Sequence, residues 1–517
     1  MAEEQVAPGA PQSDEEEEPA FWKTLTNQDA RGNELKRRVR KMSTVSSLYA
    51  SMLDADQMEG TWVYGMLWFR DKPSLAEVRE VVEKRVLTIP RFRSRLKPGK
   101  PYAFEELTPG EIDVDYHLVH EVEPTTREVI QRDYIGDVYK NFAFDKTKPL
   151  WRYVYFENVE GRSMLLTTIS HCIGDGVAQV EVLFRLLDNP ETLVPKKSHS
   201  NTSVREGEEG GADGDASARP PPKRNKKPSG SFGPLNRSRI VLLGVADALS
   251  SLLGKPDKPS KLMRDDPQKA SATKTTAFTD TIDLEQVKEI KTKYPGSTVN
   301  DILIALLSLT LRAYLEELGG AEKLIQGKQR FRGGFPINTR SSSADIFRDG
   351  SPHNKIVLGQ LTFRLAYKKK LDLIWDVKRS LDITKLSPSP FLQSHGANVV
   401  AKVLPKRRLL KQFRNTSTLT SAMLSNVAGP TKPVSLAGHV IDDMQFLLYG
   451  TTNMYLGLLS FANRVSCGIT MDTQLPGTAQ ALSKHWKPQF DALYQEVMAV
   501  EGTVPKPKSF FRVIDKL

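Results

Sequence analysis

Cysteine is almost missing from this chain: 517 residues contain two, Cys172 and Cys467. Two thiols cannot build a disulfide framework or a cysteine-rich metal site, so synthesis in a reducing compartment is expected. Long apolar runs are missing as well. The run from Ile302 to Leu311 ends at Arg312, far short of the roughly 20 residues a membrane-spanning helix needs. The uncharged stretch 444–463 is interrupted by Gly450, Thr451, Thr452, Asn453 and Gly457, and reads as two strands joined by a turn. The acidic N-terminus has no apolar secretory core. No aromatic-plus-basic nucleic-acid motif is present, which argues against a nucleic-acid partner. Any membrane contact is therefore expected to be peripheral.

What is there suits a soluble fold with substantial cores: 39% hydrophobic and 26% charged residues, with a mean hydropathy of −0.39. The net charge is +11. The first nineteen residues hold seven of the 62 acids and no Lys or Arg, so the remainder carries +18. A body this basic attracts polyanions, among them anionic lipid and phosphorylated co-substrates. Composition divides the chain into a disordered acidic-then-basic tail (1–41), a first folded part (42–197), a Gly/Glu/Pro/Lys-rich linker (198–236), a second folded part (237–500) and a short tail (501–517).

Strand and helix patterns mix in both folded parts, an α/β or α+β signature. Residues 62–69 read as a buried strand. Ser74 caps a helix whose Leu75, Val78, Val81 and Val82 share one face. Strands over 150–156 and 164–170 flank a Glu160-Gly161-Arg162 turn, and a long helix runs from about Thr298 to Leu318. The most informative segment is Ser170-His171-Cys172-Ile173-Gly174-Asp175-Gly176. On its strand, Leu165, Thr167, Ile169 and His171 share a face, so His171 sits at a strand end before a glycine-freed loop. An imidazole there can take a proton from a hydroxyl or thiol, and Asp175 can fix the loop or the ring by hydrogen bonds. Read alone, His171 fits a buried core position equally well. Cys172 faces the other side of the strand and is expected to be inert.

The segment resembles the His-His-x-x-x-Asp-Gly signature of the wax ester synthase/diacylglycerol acyltransferases, members of the CoA-dependent acyltransferase superfamily. Further stretches resemble the family in the expected order. They are Pro90-Arg91-Phe92-Arg93, Phe144-Asp145 with Pro149-Leu150-Trp151, Val299-Asn300-Asp301-Ile302, Pro336-Ile337-Asn338-Thr339-Arg340, and Ser425-Asn426-Val427-Ala428-Gly429-Pro430. One position departs: Ser170 stands where the family has its first histidine. The resemblance implies two chloramphenicol-acetyltransferase-like lobes, each a mixed sheet with helices, around an active-site tunnel. It also implies acyl transfer from acyl-CoA to diacylglycerol or a fatty alcohol, with His171 as general base and no further cofactor or metal. Asp175 then holds the loop by pairing with an Arg, Gly176 lets the next helix pack close, and Asn300 lines the site, or alternatively caps its helix. A small alcohol or amine as acceptor, and a non-catalytic lipid-binding role, remain open. Lys406, Arg407, Arg408, Lys411 and Arg414 alternate with apolar residues and suit an anionic membrane surface, as does 240–253, although both also fit ordinary core-facing helices. The location implied is the cytoplasmic side of the endoplasmic reticulum or a lipid-droplet surface.

Overall fold

The computed structural model describes residues 38–55, 61–136, 145–188, 260–266, 269–340, 347–348, 351–389 and 420–507, with residues 238, 241, 242, 244 and 392 as isolated points. The basic stretch Lys406–Arg414, the linker 198–236 and Phe144 lie outside the described residues.

Twelve strands and seven helices frame the site. The strands are β1 (Trp62–Phe69), β2 (Leu118–Glu121), β3 (Trp151–Val159), β4 (Arg162–Ser170), β5 (Lys274–Phe278), β6 (Arg332–Asn338), β7 (Ile356–Thr362), β8 (Ala422–Ala428), β9 (Val434–Leu436), β10 (His439–Tyr449), β11 (Met454–Phe461) and β12 (Arg464–Asp472). The helices are α1 (Thr44–Ala55), α2 (Leu75–Val81), α3 (Gly176–Leu186), α4 (Leu284–Lys293), α5 (Val299–Leu318), α6 (Lys370–Leu386) and α7 (Trp486–Met498). Local chemistry explains many boundaries. Ser74 caps α2 in a capping box with Glu77, and Thr298 caps α5 in one with Asp301. The β3–β4 hairpin turns on Glu160 and Gly161, both at positive φ (53° and 86°), as its two-residue loop requires.

The strands form two large mixed sheets. The first runs β9-β10-β1-β4-β3-β2, and the second β7-β6-β8-β11-β12-β5, with the two-residue strand Ile282–Asp283 added on β12. Each has its own core. In the second, α5 is apolar nearly all round, with buried residues from Asp301 to Leu315, and it packs among α4, α6 and α7.

The linker does not divide the sheets. Residues 444–463 do form two strands and a turn, but the strands diverge: β10 pairs with β1 in the first sheet, while β11 pairs with β8 and β12 in the second. The second folded part thus donates β9 and β10 to the first, and Val434, Leu436, Ile441, Met444 and Leu447 join the first core. Glycine permits this crossing. A Cβ on Gly468 would lie 2.1 Å from the Phe446 carbonyl oxygen, and one on Gly457 would lie 2.9 Å from the Phe446 ring. Val39–Lys41, assigned from composition to the disordered tail, instead pairs with Ala103–Glu106. The described helices include none long and apolar enough to cross a membrane.

Candidate active site

His171 follows the last residue of β4. Its backbone N–H donates to the Thr61 carbonyl (2.9 Å), and Ile173 N–H closes a turn onto the Ser170 carbonyl (3.0 Å). The Ser170 hydroxyl acts locally, its Oγ accepting from the Cys172 N–H at 3.3 Å and so satisfying a donor inside that turn. Three further loop carbonyls are held from several directions. Asn354 Nδ2 donates to the His171 carbonyl (2.9 Å), Arg91 Nη1 to that of Ile173 (3.2 Å), and Gln179 Nε2 to that of Gly174 (2.9 Å). Gly174 is the tight glycine of the motif, since a Cβ there would sit 3.2 Å from both Ala178 and Pro352. Gly176, expected to permit close helix packing, would have its Cβ at an ordinary 3.9 Å from Ser425 Oγ. Cys172 is buried, and burial pushes its thiol up to about 11, so it is not a nucleophile at neutral pH.

Asp175 is the hub that joins the two halves of the chain. Its Oδ1 caps α3 by accepting from Ala178 N–H at 3.1 Å. Its Oδ2 accepts from Arg340 Nη2 and from the Lys355 backbone N–H, both at 2.8 Å. The Asp175 and Arg340 side chains are each 1% exposed. Arg340 also donates to the His353 carbonyl and to Asn338 Oδ1. A buried carboxylate is stable there because a guanidinium and two backbone donors face it.

The imidazole is 9% exposed and packs 4.5 Å, centroid to centroid, from the Tyr49 ring on α1. Burial, the largest influence, holds its pKa below the ordinary value; the Asp175 charge and the Asn354 amide act in the opposite sense. At neutral pH the ring is uncharged and can accept a proton. Asn354 carries no motif signal in the sequence, where it reads as part of a turn. It is 4% exposed, and its Nδ2 donates to both Ser46 Oγ (3.0 Å) and the His171 carbonyl. Its Oδ1 has no hydrogen-bond partner among the described residues, and the amide as a whole favours imidazolium.

Asn354→Leu is therefore expected to lower kcat/KM by about tenfold, because the donor that holds the His171 carbonyl is lost. It should also move the acid limb of the pH profile downward, because a group favouring the protonated ring is gone. Asn354→Asp should move that limb upward. Identical profiles in both variants would rule out a positioning role.

Asn300 does not cap α5; Thr298 does. Asn300 Oδ1 accepts from Asn426 Nδ2 at 2.8 Å, so the motifs around Asn300 and Asn426 meet each other. Asp301 is spent on the capping box, where its Oδ2 accepts from the Thr298 N–H at 2.8 Å.

Next to this loop lies an apolar cavity with roughly 830 Å³ of empty space, counting the part open to solvent. Thr167 and Ile169, on the β4 face that leads to His171, line it together with Gly176 and Val180 of the first half and Ser425, Val427, Gly429 and Pro430 of the second. The described residues contain no cluster of three or more His, Cys, Asp or Glu able to hold a metal.

Two mixed sheets, the first completed by β9 and β10 from the second half of the chain, with a His-x-x-x-Asp-Gly loop tied across them, define a two-lobed CoA-acyltransferase/condensation-like fold. The solved wax ester synthase/diacylglycerol acyltransferase from Marinobacter aquaeolei superposes with a TM-score of 0.56 at 15% identity, covering 89% of this chain and 100% of that one. The first condensation domain of the CDA synthetase gives 0.52 at 12% identity, covering 91% and 98%. Residues 42–303 match the wax ester synthase/diacylglycerol acyltransferase catalytic domain, and 353–494 match the C-terminal domain of the same family. The chain belongs to the wax ester synthase/diacylglycerol acyltransferase family. Its relatives include the O-acyltransferase WSD of Acinetobacter baylyi, 23% identical over 83% of this chain and 89% of the relative. Wax ester synthase/diacylglycerol acyltransferase 5 of Arabidopsis thaliana is 20% identical over 82% and 88%.

Proposed function

We propose that this acyltransferase moves a long-chain acyl group from acyl-CoA to diacylglycerol or a fatty alcohol, forming triacylglycerol or wax ester, with acyl-CoA as co-substrate and no further cofactor. The observation that carries the reading is His171, buried at the end of the strand face that lines an apolar cavity between the lobes. His171 takes the acceptor hydroxyl's proton as that oxygen attacks the thioester carbonyl. The tetrahedral intermediate then collapses, the C–S bond breaks, and the imidazolium returns the proton to the CoA thiolate. No acyl-enzyme is required, and the buried Cys172 takes no part.

Purified protein given a long-chain acyl-CoA with an acceptor panel of diacylglycerol, a fatty alcohol and a short alcohol should form neutral lipid with the first two. Ester from the short alcohol alone would favour a small-molecule acyltransferase. Lipid binding with no ester from any acceptor would make the chain a non-catalytic relative.

The same reading places the enzyme peripherally, on the cytoplasmic face of the endoplasmic reticulum or on lipid droplets. Supporting it are the charge of the body, the run Lys406, Arg407, Arg408, Lys411 and Arg414, and Val241 and Leu242, which are 50% and 71% exposed. Flotation with anionic vesicles should be lost when those five cations are neutralised.

A further inference from the structure

The ring Nδ1 of His171 is buried and has no hydrogen-bond partner among the described residues. A histidine base needs its ring held so that the other nitrogen meets the substrate, and in a catalytic triad a carboxylate accepting from Nδ1–H does this. Asp175, the carboxylate of the loop, is engaged elsewhere: Ala178 N–H, Lys355 N–H and the Arg340 guanidinium all donate to it. The orientation of the imidazole therefore has to come from packing.

The packing partner is Tyr49 of α1. Its ring centroid lies 4.5 Å from that of the imidazole, with 33° between the planes. Ser46, Tyr49, Ala50 and Leu53 share one face of α1 by their spacing. Ala50 and Leu53, 0% and 1% exposed, anchor the helix in the first core. Ser46, one turn before Tyr49, is fully buried, and its Oγ accepts from Asn354 Nδ2 at 3.0 Å. Asn354 in turn holds the His171 carbonyl. α1 thus reaches the base twice, at its backbone through Ser46 and Asn354 and at its ring through Tyr49. Asp175, at the head of α3, is the charged group that acts on the imidazole. The Tyr49 hydroxyl and the Cys172 thiol stay neutral at working pH because burial raises both pKa values.

We propose that Tyr49 is a positioning residue for the acyl transfer: its ring fixes the plane of the His171 imidazole and shields it from water, so that Nε2 meets the acceptor hydroxyl. The proposal rests on the general-base reading of His171 above.

Three variants of the full-length enzyme test it, each assayed below its thermal midpoint. Tyr49→Ala removes the ring and should lower kcat by up to about a hundredfold, the cost of a base misplaced by about 1 Å, with KM for acyl-CoA little changed. It should also move the acid limb of the pH profile upward, toward the value near 6.5 of a solvated imidazole, because burial is what lowers the His171 pKa. Tyr49→Phe restores a flat ring and should rescue both kcat and the limb. Tyr49→Leu keeps apolar bulk without a flat face, should lose kcat as the alanine variant does, and replaces that variant if it fails to fold. Wild-type kcat in Tyr49→Leu overturns the proposal. So does a loss in Tyr49→Phe as large as in Tyr49→Leu, which would give the role to the hydroxyl. NMR of histidine-labelled protein, with the His171 signal assigned from His171→Ala, reads the same titration without ester formation, and an unmoved His171 midpoint in Tyr49→Ala also overturns the proposal. Wild-type protein that forms no ester from any acceptor would instead overturn the acyltransferase reading, so the two failures are distinguishable.

Discussion

His171→Ala is expected to lower kcat/KM for ester formation by roughly a hundredfold to ten-thousandfold, the range a positioned general base contributes. Circular dichroism and a cooperative thermal transition should show the variant folded, because the loop backbone is held by Thr61, Arg91 and Gln179 independently of the ring. The pH profile of the wild type supplies a second reading of the same group. Burial lowers the imidazole pKa, so activity should persist to more acidic pH than an ordinary imidazole near 6.5 would allow. Stability moves the other way. Below about pH 6.5 the unfolded chain binds a proton that folded His171 resists, and the same holds for His117, which burial pushes down to about 4. The fold should therefore weaken on acidification through that window. Wild-type turnover by His171→Ala would end the general-base assignment.

Asp175→Ala should have the largest effect on stability. It strands the Arg340 guanidinium at 1% exposure and removes the α3 cap. Leaving one member of a buried pair uncompensated costs about 3–5 kcal/mol, and losing a cap costs about 1 kcal/mol more. Denaturant midpoints should show the loss. Asp175→Leu combined with Arg340→Met should recover much of it, since apolar replacement of a whole buried pair is often neutral. It should not recover activity, because Lys355 N–H and Ala178 N–H would no longer hold the loop. A single variant as stable as wild type would show that the carboxylate is not the tie between the halves.

How much of this was legible in the sequence varies with the range of the interaction involved. Capping boxes, the β3–β4 turn and the buried α5 follow from residues within four positions of one another, and Ser74, Glu160-Gly161 and Thr298 announce them directly. His171 and Asp175 stood out because a strand end, two glycines and an apolar helix surround them in twenty residues. Arg340 lies in a segment noted only for its resemblance, and its ion pair with Asp175 spans 165 residues. Asn354 had no signal at all, since a single Asn in a Pro-His-Asn-Lys stretch looks like any turn. The neighbour of Asn300 is hidden for a similar reason: its pattern places it at a helix start, and only the fold shows that Asn426 is what it meets.

The sequence by itself determined the alternation of strands and helices, the reactive loop and the basic character of the body, because periodicity, capping and charge are local properties. It could not determine which sheet a strand joins. β10 and β11 are adjacent in the chain, and although β10 is the more polar of the two, neither pattern names a partner strand. Only tertiary packing, with Gly457 and Gly468 giving Phe446 room to cross, sends one strand to each lobe. That crossing puts Phe446 of β10 and Leu459 of β11 on the walls of one cavity beside the His171 loop.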